Sequence, residues 1–328
     1  SIMGFTAYKS VTDVPGDIDL AVICVPAKFV VSVVKECGEK GVKSIVIITA
    51  GFKEVGSEGA KLEREITEIA QKHEMRVVGP NCLGVITNAN FSFASITPKK
   101  GSIAMLSQSG AMMTGLLDWA VEQDIGFRSF ISLGNKCDVD EIDFIEYLAQ
   151  DDKTKVIAGY IESVTDGQKF FDVVSKAAKK KPVILLKSGR SEHGAKAASS
   201  HTGALAGSDI AFDIAFEKAG VIRANTISEL FNYSLSFQIT TPPKGDKFSI
   251  VTNAGGPGIV ATDAMENQGL QFSSYSEETL KKLSEGLPDE AALHNPVDII
   301  GDATPERYQY ALNTLYESPE DEVAGSLI

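Results

Sequence analysis

Two histidines, His193 and His201, fall in the segment KSGRSEHGAKAASSHTGALAGSD (187–209), where small residues and glycines follow an apolar run without apolar periodicity. A stretch of that kind reads as a functional loop, not as a packed element. His201, set in Ser-Ser-His-Thr-Gly (199–203), has no apolar face in which to be buried. Neutral imidazole is a competent nucleophile near pH 7, because its free pKa is about 6.5. It needs a carboxylate to orient its other nitrogen. Glu162, closing the run KVIAGYIE (155–162), is placed for that role. A carboxylate at the end of a buried strand is costly unless partnered, which favours a role for it. His73, His193 and His294 read as ordinary structural or surface residues.

Glycine-rich turns between an apolar run and a helical pattern form the second group. Free N–H groups and the positive end of the helix dipole meet there, so an anion binds without a side-chain cation. The candidates are Ser107-Gln108-Ser109-Gly110, Gly255-Gly256-Pro257-Gly258 and the turn in VVGPNCLG (77–84). Alone, each is a weak signal, because a glycine at such a junction is often only a tight turn. The charge balance gives them weight. With 31 basic and 44 acidic side chains, the formal net charge is −13 over 328 residues. That argues against a broad basic surface for nucleic acid but leaves room for a local anion site of backbone N–H groups. Cys24, Cys37, Cys82 and Cys137 show no Cys-x-x-Cys spacing and no metal-ligand pattern, which suits reduced thiols in a cytoplasmic protein. No membrane span or leader pattern is evident.

The elements that must position these residues alternate along the chain. Runs rich in Val and Ile at 19–25, 44–49, 76–79, 102–107, 128–133, 155–163, 182–188 and 247–253 read as strands of parallel sheets covered on both faces. Amphipathic stretches at 27–40, 58–73, 110–122, 166–180, 208–219, 257–268 and 304–317 read as the helices between them. The fold class is therefore α/β with doubly wound sheets. Breaks at Thr97–Gly101 and at the Pro-rich Thr240–Asp246 predict three domains, 1–96, 97–240 and 241–328. The first holds few strands for a complete nucleotide-type domain, and Val323–Ile328 reads as a strand with nothing after it. The expectation is a subunit trimmed at both ends.

The segments SSHTGALAG, VGPNCLG and LSQSGAM, together with the strand-end Glu162, resemble the α subunit of NDP-forming acyl-CoA synthetases, a group related to succinyl-CoA synthetase. The similarity is nearest to the ADP-forming acetyl-CoA synthetase branch and runs from 21–30 to 295–308. The resemblance implies a Rossmann-like CoA-binding domain, lacking its first strand and glycine loop, followed by two flavodoxin-like domains, the last incomplete. It implies phosphorylation of His201, with Glu162 orienting the ring. It implies phosphate held at two helix ends, by Ser109 and Gly110 and by Gly256 and Gly258. It places Pro26, Lys28, Thr49, Ala50, Asn81 and Cys82 at the CoA site. The reaction implied converts acyl-CoA, phosphate and ADP into acid, CoA and ATP through an acyl phosphate. ADP and Mg²⁺ would sit on an ATP-grasp partner, fused or separate, in a hetero-oligomer such as α2β2. Thr114 stands where succinyl enzymes carry a tyrosine, which suits a smaller or apolar acyl group.

Two alternatives compete. An acyl-CoA-binding sensor related to protein acetyltransferases would look similar, but such proteins commonly lack the histidine. An NAD-dependent oxidoreductase is suggested by the fold alone, without a visible Gly-x-Gly-x-x-Gly. A serine hydrolase using Ser109 fails for want of a Gly-x-Ser-x-Gly elbow.

Overall fold

A computed structural model describes residues 1–191, 193–194, 209–239, 243–319 and 322–328. It divides into two compact units, Ser1–Thr240 and Thr241–Ile328. The first unit opens with β1 (Leu20–Ile23), α1 (Ala27–Lys40), β2 (Ser44–Ile47), α2 (Ser57–Lys72) and β3 (Arg76–Val78). The strands pair in parallel in the order β1-β2-β3. Helix α1 buries Val30, Val34 and Cys37, spaced one turn apart, against Ile23, Ile45 and Ile47. It stops at Gly41, whose φ of +82° is open to glycine at no steric cost.

The same unit continues with β4 (Gly84–Ile86), β5 (Asn90–Ser92), β6 (Lys100–Ser107), α3 (Gly110–Glu122), β7 (Phe127–Ser132), α4 (Glu141–Leu148), β8 (Val156–Ile161), α5 (Gly167–Ala178), β9 (Val183–Lys187), α6 (Asp209–Ala219), β10 (Ile222–Ala224) and α7 (Ile227–Ile239). Among the described residues these strands form one sheet in the order β10-β9-β8-β6-β7-β4-β5. Its β10-to-β7 part is parallel, and β4 runs antiparallel to both β7 and β5. Alternation along β6 shows the double winding directly. Ala104 and Leu106 pack with α4, α5 and α6, while Ile103 and Met105 pack with α3 and α7. The β4–β5 hairpin comes from the N-terminal side of the 96/97 boundary expected from sequence, yet it extends the central sheet.

The second unit contains β11 (Lys247–Thr252), α8 (Gly255–Asn267), β12 (Gln271–Phe272), α9 (Glu277–Gly286), β13 (Val297–Asp298), α10 (Pro305–Tyr316) and β14 (Gly325–Leu327). Strand β11 is the hub, pairing in parallel with β12, β13 and β14. Val251, Val297, Ile299, Leu283 and Leu315 form its core.

Candidate functional site

The turn from β6 into α3 is fixed by hydroxyls. The buried Ser107 Oγ donates to the Ser109 carbonyl at 2.8 Å and accepts from the Ser109 N–H at 3.1 Å. Ser109 is the N-cap of α3, and its Oγ accepts from the Met112 N–H at 3.2 Å. Among the described residues, the Gly110 and Ala111 N–H groups, in the first helical turn, have no partner. Of these, the sequence assigned Gly110 to an anion, together with Ser109, whose hydroxyl hydrogen is a further donor; Ala111 was not among the expected residues.

Glu162 follows directly on β8 and is half-buried. Its N–H and that of Ser163 both donate to Gln108 Oε1, at 2.8 and 2.9 Å. Gln108 Nε2 donates to the Ser163 carbonyl at 2.8 Å and to Glu141 Oε2 at 3.1 Å. Beneath lies an ion pair, Lys136 Nζ to Glu141 Oε2 at 2.9 Å, and Lys136 also donates to the Ser163 carbonyl at 2.9 Å. Burial pushes the Glu141 carboxyl above its ordinary range, against the pull of Lys136. Burial also pushes the neighbouring Tyr160 phenol up, with Ser188 opposing and Glu162 adding to the rise. Glu162 is thus held by its backbone to the turn that presents the α3 amino end.

His201 lies outside the described residues. The flanks of its segment are tied together: Arg190 Nε donates to Asp209 Oδ2 at 3.3 Å, and Arg223 pairs with Asp209 and Asp213. Lys187, nearly buried at the end of β9, holds its Nζ 4.9 Å from the Phe212 ring centre, and burial lowers its pKa. His73 packs against Gly38, where an added Cβ would meet its ring at 2.6 Å.

The second unit repeats the hydroxyl device. Thr252 Oγ1 donates to the Ala254 carbonyl at 3.0 Å and accepts from its N–H at 3.2 Å, ahead of α8. Gly255 and Gly256 have free N–H groups among the described residues. Gly258 differs from its expected role. Its N–H already donates to the Ala254 carbonyl at 3.4 Å, and it is buried 3.0 Å (as an added Cβ) from Thr252 Cγ2, so it serves close packing.

The expected CoA residues occupy three neighbouring turns at the carboxyl ends of β1, β2 and β3. Pro26 caps α1 without a side-chain bond, leaving first-turn N–H groups open. Lys28 is exposed, with Nζ 4.9 Å from the Phe29 ring centre. Thr49 Oγ1 donates to the Val25 carbonyl at 2.7 Å, Ala50 is exposed, and the Asn81 N–H donates to the Thr49 carbonyl at 2.9 Å. Cys82 departs from expectation. Its thiol points inward to the Ile47 carbonyl at 3.3 Å, and burial pushes its pKa up to about 12, so it is a packing residue. The carboxyl ends of strands are where open α/β sheets receive ligands.

Sequence reasoning missed the segment between β7 and α4, which touches both places. Asn135 accepts from Asn81 Nδ2 at 3.2 Å and donates to Glu54 and Glu63 at 2.7 and 2.8 Å. Its neighbour Lys136 reaches Glu141 and Ser163. A lone Asn-Lys pair carries no local signal for this; only the fold brings it there. Among the described residues, no group of three or more His, Cys, Asp or Glu side chains is placed to hold a metal ion, and no helix is long and apolar enough to cross a membrane.

Comparison with known proteins matches residues 1–88 to a CoA binding domain and residues 100–237 to a succinyl-CoA ligase-like flavodoxin domain. The chain is 47% identical to acetate–CoA ligase [ADP-forming] I of Archaeoglobus fulgidus, with all of this chain matched to 48% of that protein. It is 48% identical to the α subunit of acetate–CoA ligase [ADP-forming] II of Pyrococcus furiosus, with 98% of this chain matched to 71% of the subunit. The chain thus spans about half the length of the Archaeoglobus relative. Among solved structures, dinucleotide-forming acetyl-coenzyme A synthetase 1 of Ca. Korarchaeum cryptofilum, in complex with phosphate and ADP, superposes with a TM-score of 0.94 at 36% identity, over 99% of this chain and 70% of that one. These matches give no support to the oxidoreductase or sensor alternatives. With such identity across nearly its whole length, the chain belongs to the ADP-forming acyl-CoA synthetase family.

Proposed function

We propose that this chain is the CoA-binding and phosphoryl-carrying part of an ADP-forming acetyl-CoA (acyl-CoA) synthetase. It acts in the cytoplasm with an ATP-grasp part that holds ADP and Mg²⁺, in an assembly such as α2β2. An oxygen of inorganic phosphate attacks the thioester carbonyl, the C–S bond breaks, and CoA leaves, giving a bound acyl phosphate. A ring nitrogen of His201 then attacks phosphorus, and the P–O bond to the acyl group breaks to free the carboxylate. Last, an oxygen of the ADP β-phosphate takes the phosphoryl group from His201, giving ATP. Pro26, Lys28, Thr49, Ala50 and Asn81 bind CoA. Ser109 and Gly110 in the first unit, and Gly256 in the second, offer hydroxyl and N–H donors to phosphate. Each helix end, taken by itself, is equivalent to about half a positive charge. Glu162 orients His201. The protein supplies positioning and charge stabilisation, and these two effects carry most of the catalysis in phosphoryl transfer.

The observation that carries this reading is the Glu162 N–H bonded to the side chain of Gln108, the residue just ahead of the α3 cap Ser109, in a chain 48% identical to a named α subunit. The test uses the full protein with its ATP-grasp part and labelled Mg-ATP. Acid-labile, base-stable phosphate should appear on the parent and be absent from His201→Ala. If His201→Ala labels as the parent does, the reading is wrong. Glu162→Gln should label slowly.

A further inference from the structure

We propose that Gln108 is a positioning residue, which sets where the Glu162 carboxylate stands relative to the α3 amino end. The inference rests on the function proposed above and deepens it. Gln108 sits between Ser107 and the cap Ser109, and its own N–H donates to the Tyr160 carbonyl at 3.2 Å. It therefore offers nothing to an anion from its backbone. Its side chain crosses from β6 to the end of β8 and uses its whole bonding capacity. Oε1 takes two N–H groups, those of Glu162 and Ser163, and Nε2 gives its two hydrogens to the Ser163 carbonyl and Glu141. Rotating the amide by half a turn would set oxygen against two acceptors and nitrogen against two donors, so the orientation is unique.

The layer below holds Gln108 in turn. Glu141 is fully buried, its partner Lys136 nearly so, and Lys136 returns a bond to the same Ser163 carbonyl. A buried ion pair is weak evidence for stability but a good means of fixing one geometry. Here it fixes the amide that reads two consecutive peptide groups at Glu162. A carboxylate that must meet an imidazole tolerates little displacement, since a misplacement of about 1 Å can cost on the order of 100-fold in rate.

A double-mutant cycle on the full protein with its ATP-grasp part tests this. Phosphohistidine formation from labelled Mg-ATP should fall by about 10- to 100-fold in Gln108→Leu, the range found when a metal ligand loses its outer hydrogen-bond partner. Gln108→Leu added to Glu162→Gln should slow the reaction little further, because the residue acts only through the carboxylate. Gln108→Asn, about 1.5 Å shorter, should fall between parent and Gln108→Leu; it also serves if the leucine variant does not fold. Amide exchange at Glu162 and Ser163 should quicken in both variants. A Gln108→Asn or Gln108→Leu protein that labels at the parental rate beside a slow Glu162→Gln overturns this inference alone. So does a double variant whose loss is the product of the single losses. If Glu162→Gln itself labels at full rate, the role given to Glu162 fails, and this inference with it.

Discussion

Lys136→Met isolates the cost of the carboxylate buried beside the proposed site. The pair is nearly dry, with side-chain exposures of 9% for Lys136 and 0% for Glu141. Burial already drives the Glu141 carboxyl toward its protonated form, and Lys136 is the main charge opposing it. Without the lysine, the least costly folded state carries neutral Glu141. Taking up that proton at pH 7 costs about 1.36 kcal/mol for each pH unit above a free carboxyl's value near 4.3, or about 3.7 kcal/mol. This falls within the roughly 3–5 kcal/mol typical of breaking a buried pair. At pH 5 the same step costs about 1 kcal/mol. The direction follows from the raised folded-state pKa: the group destabilises the fold increasingly as pH rises above its unfolded value, so the variant recovers on acidification. In scanning calorimetry a unit of this size shifts by about 2–4 °C per kcal/mol, which gives a Tm about 7–15 °C below the parent at pH 7 and about 2–4 °C below at pH 5. Adding Glu141→Gln, which keeps an acceptor for Gln108, should remove the pH dependence. A Tm deficit equal at both pH values, or larger at pH 5, would refute the reasoning.

Three further outcomes are expected. Gly134→Ala puts a Cβ 2.2 Å from the Pro80 carbonyl oxygen at a φ of +59°; urea unfolding should show a loss of about 2–4 kcal/mol, and an unchanged midpoint would deny the close approach. Cys24 is exposed, whereas burial pushes the Cys37 thiol to about 11 and those of Cys82 and Cys137 to about 12. A disulfide reagent at pH 8 should therefore titrate one thiol quickly and the others only in denaturant; rapid reaction of Cys82 would contradict its inward placement. Ser109→Ala removes the α3 cap and should lower stability by about 1 kcal/mol while raising the KM for phosphate. A variant equal to the parent on both counts would take Ser109 out of the site.

The strands covered on both faces were the easiest elements to read, because their Val and Ile runs have no polar alternation to blur them. Helices α1 and α5 were legible for the opposite reason, since each carries a clear apolar stripe, and α3 through its apolar run behind a Ser-Gly start. Helix α4 was missed: it spans eight residues and is started by an Asp140–Asp143 capping box, too short for a period to register. Helix α7 was missed because its aromatic and β-branched residues favour strand as readily. The β4–β5 hairpin exists through pairing with β7, which no local pattern announces. At the candidate site, the places of Ser109, Gly110 and Glu162 at the ends of elements were legible, because each closes or opens a patterned run. Gln108 was not, since its partners Glu162 and Ser163 lie 54 and 55 residues away. Cys82 and Gly258 share turns with the other candidates, and only the fold shows that they face inward.

The central sheet tapers, and this bears on how the protein behaves in a crowded solution. Its middle strand β6 has eight residues, while β5 and β10, at the two edges among the described residues, have three each. On β5, Asn90 Oδ1 takes the Ser92 N–H at 2.9 Å, so even that short rim spends a donor on itself. An extended segment of another chain would find room for only a bond or two at either margin, too few to repay its ordering. The longer strands lie in the interior, and among the described residues neither edge of this sheet offers a long template on which another chain could grow.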